Sequence, residues 1–328
     1  MSNQPDGADP DILVLRAKAH GISTAGYADA IRERLPEYTV RRARTPAEER
    51  ALIRSATVAT GLEIDDEVLD NAENLRLFAG GAAGVDHLPM DRLRDHDVTV
   101  TSAAGVHVPT AAEHAIAGLL VLARRFDRAF RNHDAGQWRH FQPHGELANA
   151  TVTVVGMGTI GHRVAELLQA FGSQVLGVRH TPEQGGPADE VLGYDRSAVH
   201  DAFARSDYVV LACPLTDTTR GLVDWQAFRT LPSDAAIVNI ARGPVIDTDD
   251  LVAALRENFI RGAVLDVTDP EPLPADHPLW GMDEVVVTPH VAGHTHAYWE
   301  RIADILARNL AHVEESGEYD GLENQAYP

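Results

Sequence analysis

The sequence predicts an α/β fold with parallel sheets, divided into two blocks. Short apolar runs alternate with helical stretches along all 328 residues. Hydrophobic residues make up 44% of the chain, ample material for buried cores. A glycine-rich turn, GMGTIG, joins one of the apolar runs directly to a helical pattern.

Residues 11–16 (DILVLR) read as a first strand, and AGYADAIRERLP as a helix that ends before Pro36. TPAEERALIRS, SATVATG, NLRLFAGG and DVTVTSAAG continue the alternation and complete a block of roughly 100 residues. Thr110-Ala-Ala-Glu113 has the spacing of a capping box, in which Thr accepts from first-turn amides and Glu reaches back. Ile116, Leu119, Leu120, Leu122 and Phe126 then form a wide apolar face, suited to burial within the domain or at a subunit interface. A second α/β block runs from TVTVV (151–155) to EVVVTPH (284–290). The helix after the glycine turn places Val164, Leu167, Leu168 and Phe171 on one face. The final helix, AYWERIADILARNLAHV, aligns Ile302, Ile305, Leu306, Leu310 and Val313, with the first block as its available partner.

Charge narrows the function classes. Lys and Arg total 28 against 49 Asp and Glu, a net charge of -21 that repels phosphate backbones and anionic lipid. Nucleic-acid and membrane binding are therefore not expected, and no apolar run approaches the ~20 residues of a membrane span. The polar N-terminus (MSNQPDGADP) does not resemble a signal peptide, so a cytoplasmic location is expected. Cys213 is the only cysteine, which excludes an internal disulfide and any Cys-based zinc cluster. Lys18 is the only lysine, so 27 of the 28 basic residues are Arg. Excess carboxylate with so little lysine fits a halophilic protein, and a G- and C-rich genome is the alternative source of the bias.

The glycine turn predicts a dinucleotide site. Gly156, Gly158 and Gly161 stand where a tight turn, close backbone approach to a pyrophosphate and helix–strand packing require them. Thr159 and Ile160 open the helix whose free amides would face the anion. At the end of the next strand, QVLGV (174–178), NAD sites commonly place an acid for the ribose 2′-hydroxyl; here Arg179-His180-Thr181 follows. A guanidinium pairs with a 2′-phosphate, so NADP(H) is expected to be preferred, with NAD(H) also possible.

Three further segments carry candidate chemistry: NIARGPVIDT (239–248) with Arg242, AVLDVTDPEPLP (263–274) with Asp266 and Glu271, and VVVTPHVAGHT (285–295) with His290. Together with GMGTIG, and in this order, they resemble the D-isomer-specific 2-hydroxyacid dehydrogenase family, which includes glyoxylate/hydroxypyruvate reductases and phosphoglycerate dehydrogenase. The resemblance implies a Rossmann cofactor domain (107–296) inserted into a smaller flavodoxin-like substrate domain (1–106 plus 297–328), with a cleft between them. It also implies a homodimer through the helix near Thr110.

For reduction of a 2-oxo acid, His290 suits the proton donor, because imidazole titrates near neutrality. Glu271 would orient its ring and favour imidazolium, and Arg242 would hold the substrate carboxylate and polarise the carbonyl. By resemblance, Asp266 receives the nicotinamide carboxamide, Cys213, Pro214 and Thr219 underlie the adenine and ribose, and Ile240 and Ala241 flank the nicotinamide. Thr110 lies at the hinge and Gly293 beside the cofactor. Ala83 and Gly84, in the loop AGGAAGVD (79–86), offer amides to the substrate.

That loop has no lysine, unlike a phosphite-oxidising relative, and Glu271 in place of Gln argues against a formate dehydrogenase. His290, His294 and His296 cluster, but without HExxH no metal is expected. The expected activity is reduction of a small 2-oxo acid, with glyoxylate or hydroxypyruvate favoured. A dinucleotide-sensing corepressor-like protein is the alternative from a different class. A phosphoglycerate dehydrogenase ranks lower: no basic cluster marks the first block's loop, and no further regulatory domain is expected.

Overall fold

The structure, a computed structural model, describes residues 9–16, 18–19, 22–140 and 144–327. The N-terminal residues 1–8 and the side chain of Lys18 lie outside the described residues. The chain divides into two compact units, Met1–Val106 with His294–Pro328, and His107–Gly293.

In the first unit five parallel strands lie in the order Val40–Arg42, Ile12–Val14, Val58–Gly61, Leu77–Gly80 and Thr99–Thr101. In chain order this is 2-1-3-4-5, the flavodoxin-like arrangement. Alternate residues serve opposite faces, as a pleated strand demands. Ile12 and Val14 join a core with Tyr27, Ile31, Trp299 and Ile302; Leu13 and Leu15 join another with Ile53, Leu69, Phe78 and Leu93. The helix Thr24–Arg34 is capped by Ser23, whose hydroxyl accepts from the Ala25 amide at 3.2 Å, and stops at Leu35, ahead of Pro36. The helix Tyr298–Ser316 returns to this unit, as its apolar face predicts. Trp299 stacks on Tyr27 with ring centroids 4.8 Å apart, a contact worth about 0.5–1.5 kcal/mol beyond area burial. Two features depart from the all-parallel expectation: Lys18–Ala19 and Ile22–Ser23 form a small antiparallel pair apart from the main sheet, and a strand joins that sheet's edge. Gln325–Tyr327 adds antiparallel to Thr99–Thr101 at the sheet edge, too short to show a pattern in sequence.

The second unit holds seven parallel strands in the order Glu190–Leu192, Gln174–Val178, Thr151–Val155, Tyr208–Leu211, Ala236–Asn239, Gly262–Leu265 and Val285–Val287. This is the Rossmann order 3-2-1-4-5-6 with a seventh strand added. The order reverses between Thr151–Val155 and Tyr208–Leu211, which opens a crevice at their carboxyl ends. GMGTIG follows the first of these strands.

Two sequence expectations fail around the helix Val108–Ala123. The capping box at Thr110–Glu113 does not form, because the helix already begins at Val108 with Pro109 in its first turn. Proline's fixed φ suits that turn and moves the start ahead of Thr110. The Thr110 hydroxyl instead faces the carbonyls of His107 and Gly293, at 3.2 and 3.3 Å. The apolar face is also narrower than predicted. Ile116, Leu119 and Leu122 are buried against Val152, Val154, Val238 and Val264 of the unit's own sheet, and Leu120 is half-buried. Phe126 is not part of that face. The chain turns at Arg125 (φ 55°), and Phe126 starts a separate helix, Phe126–Asp134, where it stacks on Phe130 at 6.0 Å. Phe171 likewise leaves its predicted face, because it caps the helix Thr159–Ala170 and is exposed. Among the described residues no helix is long and apolar enough to cross a membrane.

Candidate active site

Backbone sterics explain the glycine turn. Gly156 adopts φ 100°, and a Cβ there would lie 2.6 Å from the Cys213 backbone. A Cβ on Gly161 would lie 1.9 Å from the Gly156 carbonyl oxygen, so the helix Thr159–Ala170 can cross its strand this closely only without a side chain. Gly158 differs, because a Cβ there would meet nothing within 4 Å. It caps the helix without a side chain, and the first turn, opened by Thr159 and Ile160, contains no acid. Neither a capping side chain nor a first-turn acid therefore competes for the free amides of this helix start, which suits an anion site.

A cleft of about 270 Å³ lies over this turn, lined by Gly156, Gly158, Arg179, His180, Thr181, Pro214 and Thr219 among others. None of its lining residues is acidic. Sequence reasoning missed Met157, Tyr194, Thr216 and Thr218 in the lining; only Tyr194, on a distant segment, lacked any local cue. Arg179 donates to the Gly185 carbonyl at 2.7 Å and to the Gln184 side chain, both neutral acceptors, and makes no ion pair among the described residues. No carboxylate thus neutralises its charge beside the cleft it lines. Thr219 is buried and staples the 214–219 turn, donating to the Pro214 carbonyl at 2.6 Å and accepting from the Thr216 amide at 2.8 Å. Cys213 is buried beneath the cleft. Burial pushes its thiol up to about 11, with a hydrogen bond to Tyr194 partly opposing the shift, so it is a packing residue rather than a nucleophile.

Arg242 follows the strand Ala236–Asn239 and is exposed. Its backbone is set by Asn239, a buried residue that sequence reasoning missed. The Asn239 side chain donates to the Arg242 carbonyl at 3.2 Å and accepts from the Ala241 amide at 2.9 Å. The guanidinium donates to the Ala241 carbonyl at 2.6 Å and makes no ion pair among the described residues, which leaves donors free for an anion. Ala241 is buried and Ile240 half-buried beside it.

Asp266 is buried, and its carboxylate organises the turn that carries His290. It accepts from the Thr288 hydroxyl at 2.6 Å and from the amides of Val291 and Ala292 at 2.9 Å each. Its carbonyl accepts from the His290 amide at 2.8 Å. So gripped, His290 takes φ 54°, a left-handed conformation that a non-glycine residue rarely adopts and that recurs at functional sites. Its Nδ1 lies 2.7 Å from Glu271 Oε1, the ring N–H donating to the carboxylate. Both side chains remain nearly half exposed, at 49% and 42%, so the pair is accessible. Gly293 closes the turn, its carbonyl accepting from the His107 ring at 2.9 Å. The structure thus brings His290 and Glu271 together. Ala83 and Gly84 belong to the other unit, in an exposed loop beyond the strand Leu77–Gly80.

Comparison with known proteins places the chain in a family. Residues 116–292 match the family described as D-isomer specific 2-hydroxyacid dehydrogenase, NAD binding domain. The chain is 35% identical over 257 residues to a glyoxylate reductase of Thermofilum pendens, covering 76% of this chain and 75% of that one. It is 34% identical over 255 residues to the Homo sapiens glyoxylate reductase/hydroxypyruvate reductase, covering 75% and 76%. Among solved structures, a D-isomer specific 2-hydroxyacid dehydrogenase from Xanthobacter autotrophicus in complex with NADPH and MES superposes with a TM-score of 0.74 at 29% identity, covering 97% and 98%.

Proposed function

The chain belongs to the D-isomer specific 2-hydroxyacid dehydrogenase family and is an NAD(P)-dependent oxidoreductase acting on CH–OH groups; from that premise we propose that it uses NADPH to reduce small 2-oxo acids to (R)-2-hydroxy acids, with glyoxylate and hydroxypyruvate as the leading substrates. The observation that carries the reductase reading is the accessible His290–Glu271 pair, with the unpaired guanidinium of Arg242 in the same unit. The open position at Gly158 and the amides of the following turn fit a pyrophosphate, and the cleft beside them fits the adenosine half.

When bound, the nicotinamide supplies a hydride to C2 of the oxo acid. Arg242 holds the substrate carboxylate through charge-assisted bonds and draws electron density from the neighbouring carbonyl. His290 delivers a proton from Nε2 to the developing alkoxide. Glu271 holds the opposite ring N–H, fixing the ring's orientation and stabilising its charged form. Asp266 keeps the 288–292 turn in place, and in this reading its remaining lone pair receives the carboxamide. Ala83 and Gly84 are proposed as further substrate donors.

NADP preference rests on Arg179 and on the absence of acids from the cleft lining. A matrix of 2-oxo acids against NADPH and NADH, followed at 340 nm, tests both substrate and cofactor. Wild type should favour NADPH by at least about tenfold in kcat/KM, the strength of one charge-assisted contact, and Arg179→Ala should erase most of that margin. A clear preference for NADH would overturn the assignment.

A homodimer is also proposed. The helix near Thr110 is largely spent on its own sheet, but Phe126, Phe130 and Trp138 are 44%, 62% and 92% exposed, a cost to a free monomer that a second copy removes. Light scattering should then give twice the 35.5 kDa chain mass, and Phe130→Glu should shift it toward one.

A further inference from the structure

We propose that Thr288 and His114 are positioning residues for His290, acting through a directed chain of hydrogen bonds that ends on Asp266. The proposal rests on the reductase reading above. The Thr288 hydroxyl lies 2.6 Å from Asp266 Oδ1 and 3.1 Å from His114 Nε2. A hydroxyl has one proton. The shorter contact is to a carboxylate, which only accepts, so that proton goes to Asp266. Thr288 can then only accept from His114, which must carry its proton on Nε2. The same nitrogen lies 3.6 Å from Asp266 Oδ1, within electrostatic reach of the carboxylate.

The chain runs His114 Nε2–H to Thr288 Oγ–H to Asp266, and it ties the helix Val108–Ala123 to the catalytic turn. Its far end matters because Asp266 grips both sides of His290. The carboxylate holds the amides of Val291 and Ala292, and the main-chain carbonyl holds the amide of His290 itself. The rotamer of that carboxylate therefore helps to set the left-handed backbone that aims the imidazole at Glu271. Without the Thr288 hydroxyl, Oδ1 keeps only the Val291 amide as a close donor, so the turn should persist but loosen. Loss of angular precision in a proton donor costs rate without costing the fold.

The test uses the full chain. Thr288→Val, which keeps the shape and removes the hydroxyl, should lower kcat for glyoxylate or hydroxypyruvate by about 10- to 100-fold, within the range known for small misplacements. Thr288→Ser should recover to within a few-fold of wild type. His114→Phe should lower kcat by a smaller factor, and His114→Gln, whose amide N–H can donate, should restore it. Histidine-selective ¹⁵N NMR gives a readout independent of turnover: His114 should show the Nε2–H tautomer, and Thr288→Val should shift the His290 ring resonances. Wild-type kcat in Thr288→Val with unmoved His290 resonances would overturn the proposal, as would a Thr288→Ser variant as impaired as Thr288→Val. If Thr288→Val does not fold, the two His114 variants decide. If wild type turns over none of the oxo acids the reductase reading fails, and the NMR shifts alone still judge the positioning.

Discussion

Replacing His290 with alanine should lower kcat for 2-oxo acid reduction by about 10²–10⁴-fold, the usual contribution of a positioned general acid, while NADPH still binds. The side chain is nearly half exposed and hydrogen-bonds Glu271, so little packing is lost with it. The local backbone is held by Asp266 rather than by the imidazole, and alanine tolerates a left-handed φ at a cost of only ~1–2 kcal/mol. Thermal stability should consequently fall by a few degrees at most, and the kinetic loss should exceed it by far. Glu271→Gln should give a smaller loss, because the amide can still accept from Nδ1 but no longer stabilises a charged ring. Steady-state kinetics with saturating NADPH, beside a fluorescence titration of the cofactor, separates the two effects. An alanine variant that turns over at the wild-type rate would remove His290 from the chemistry.

The sequence disclosed the site's parts more readily than their supports. Gly156 and Gly161 were legible because backbone geometry admits few alternatives there, Gly158 through its place in the same motif, and the strands Thr151–Val155 and Gln174–Val178 fall on the predicted residues. The buried residues that set the site's backbone were not legible in the same way. Asn239 precedes Arg242 in an otherwise apolar strand, and its task depends on a turn that sequence does not display. Thr288 and His114 are 174 residues apart and meet only after the sheet has formed. The failed capping box has a local cause. Thr110 and Glu113 have the right spacing, but Pro109 offers an earlier start, and a pattern match does not weigh the two. The apolar helix illustrates the opposite limit: periodicity finds a greasy face without saying what covers it, and here the cover is the unit's own sheet.

Two alanine substitutions three residues apart in sequence, at Gly158 and Gly161, should separate binding from folding. At Gly161 the added methyl would stand 1.9 Å from a backbone oxygen, where no side-chain rotation relieves it. Overpacking of that kind costs ~1–3 kcal/mol or more, and in a chain of this size each kcal/mol lowers Tm by about 2–4 °C. A drop of roughly 5–10 °C is expected, along with a weakened site. At Gly158 the backbone has φ −85° and the methyl enters open space, so the fold should lose less than about 1 kcal/mol as a poorer helix cap. That same open space is where a pyrophosphate would sit against the free amides, and a methyl there blocks the approach. NADPH affinity should fall by at least about tenfold, equivalent to ~1.4 kcal/mol, with Tm nearly unchanged in the absence of cofactor. Calorimetry and cofactor titration on the two variants read both quantities. If Gly158→Ala binds NADPH as tightly as wild type, the pyrophosphate does not lie over this turn, and the assignment of the cleft to the dinucleotide fails with it.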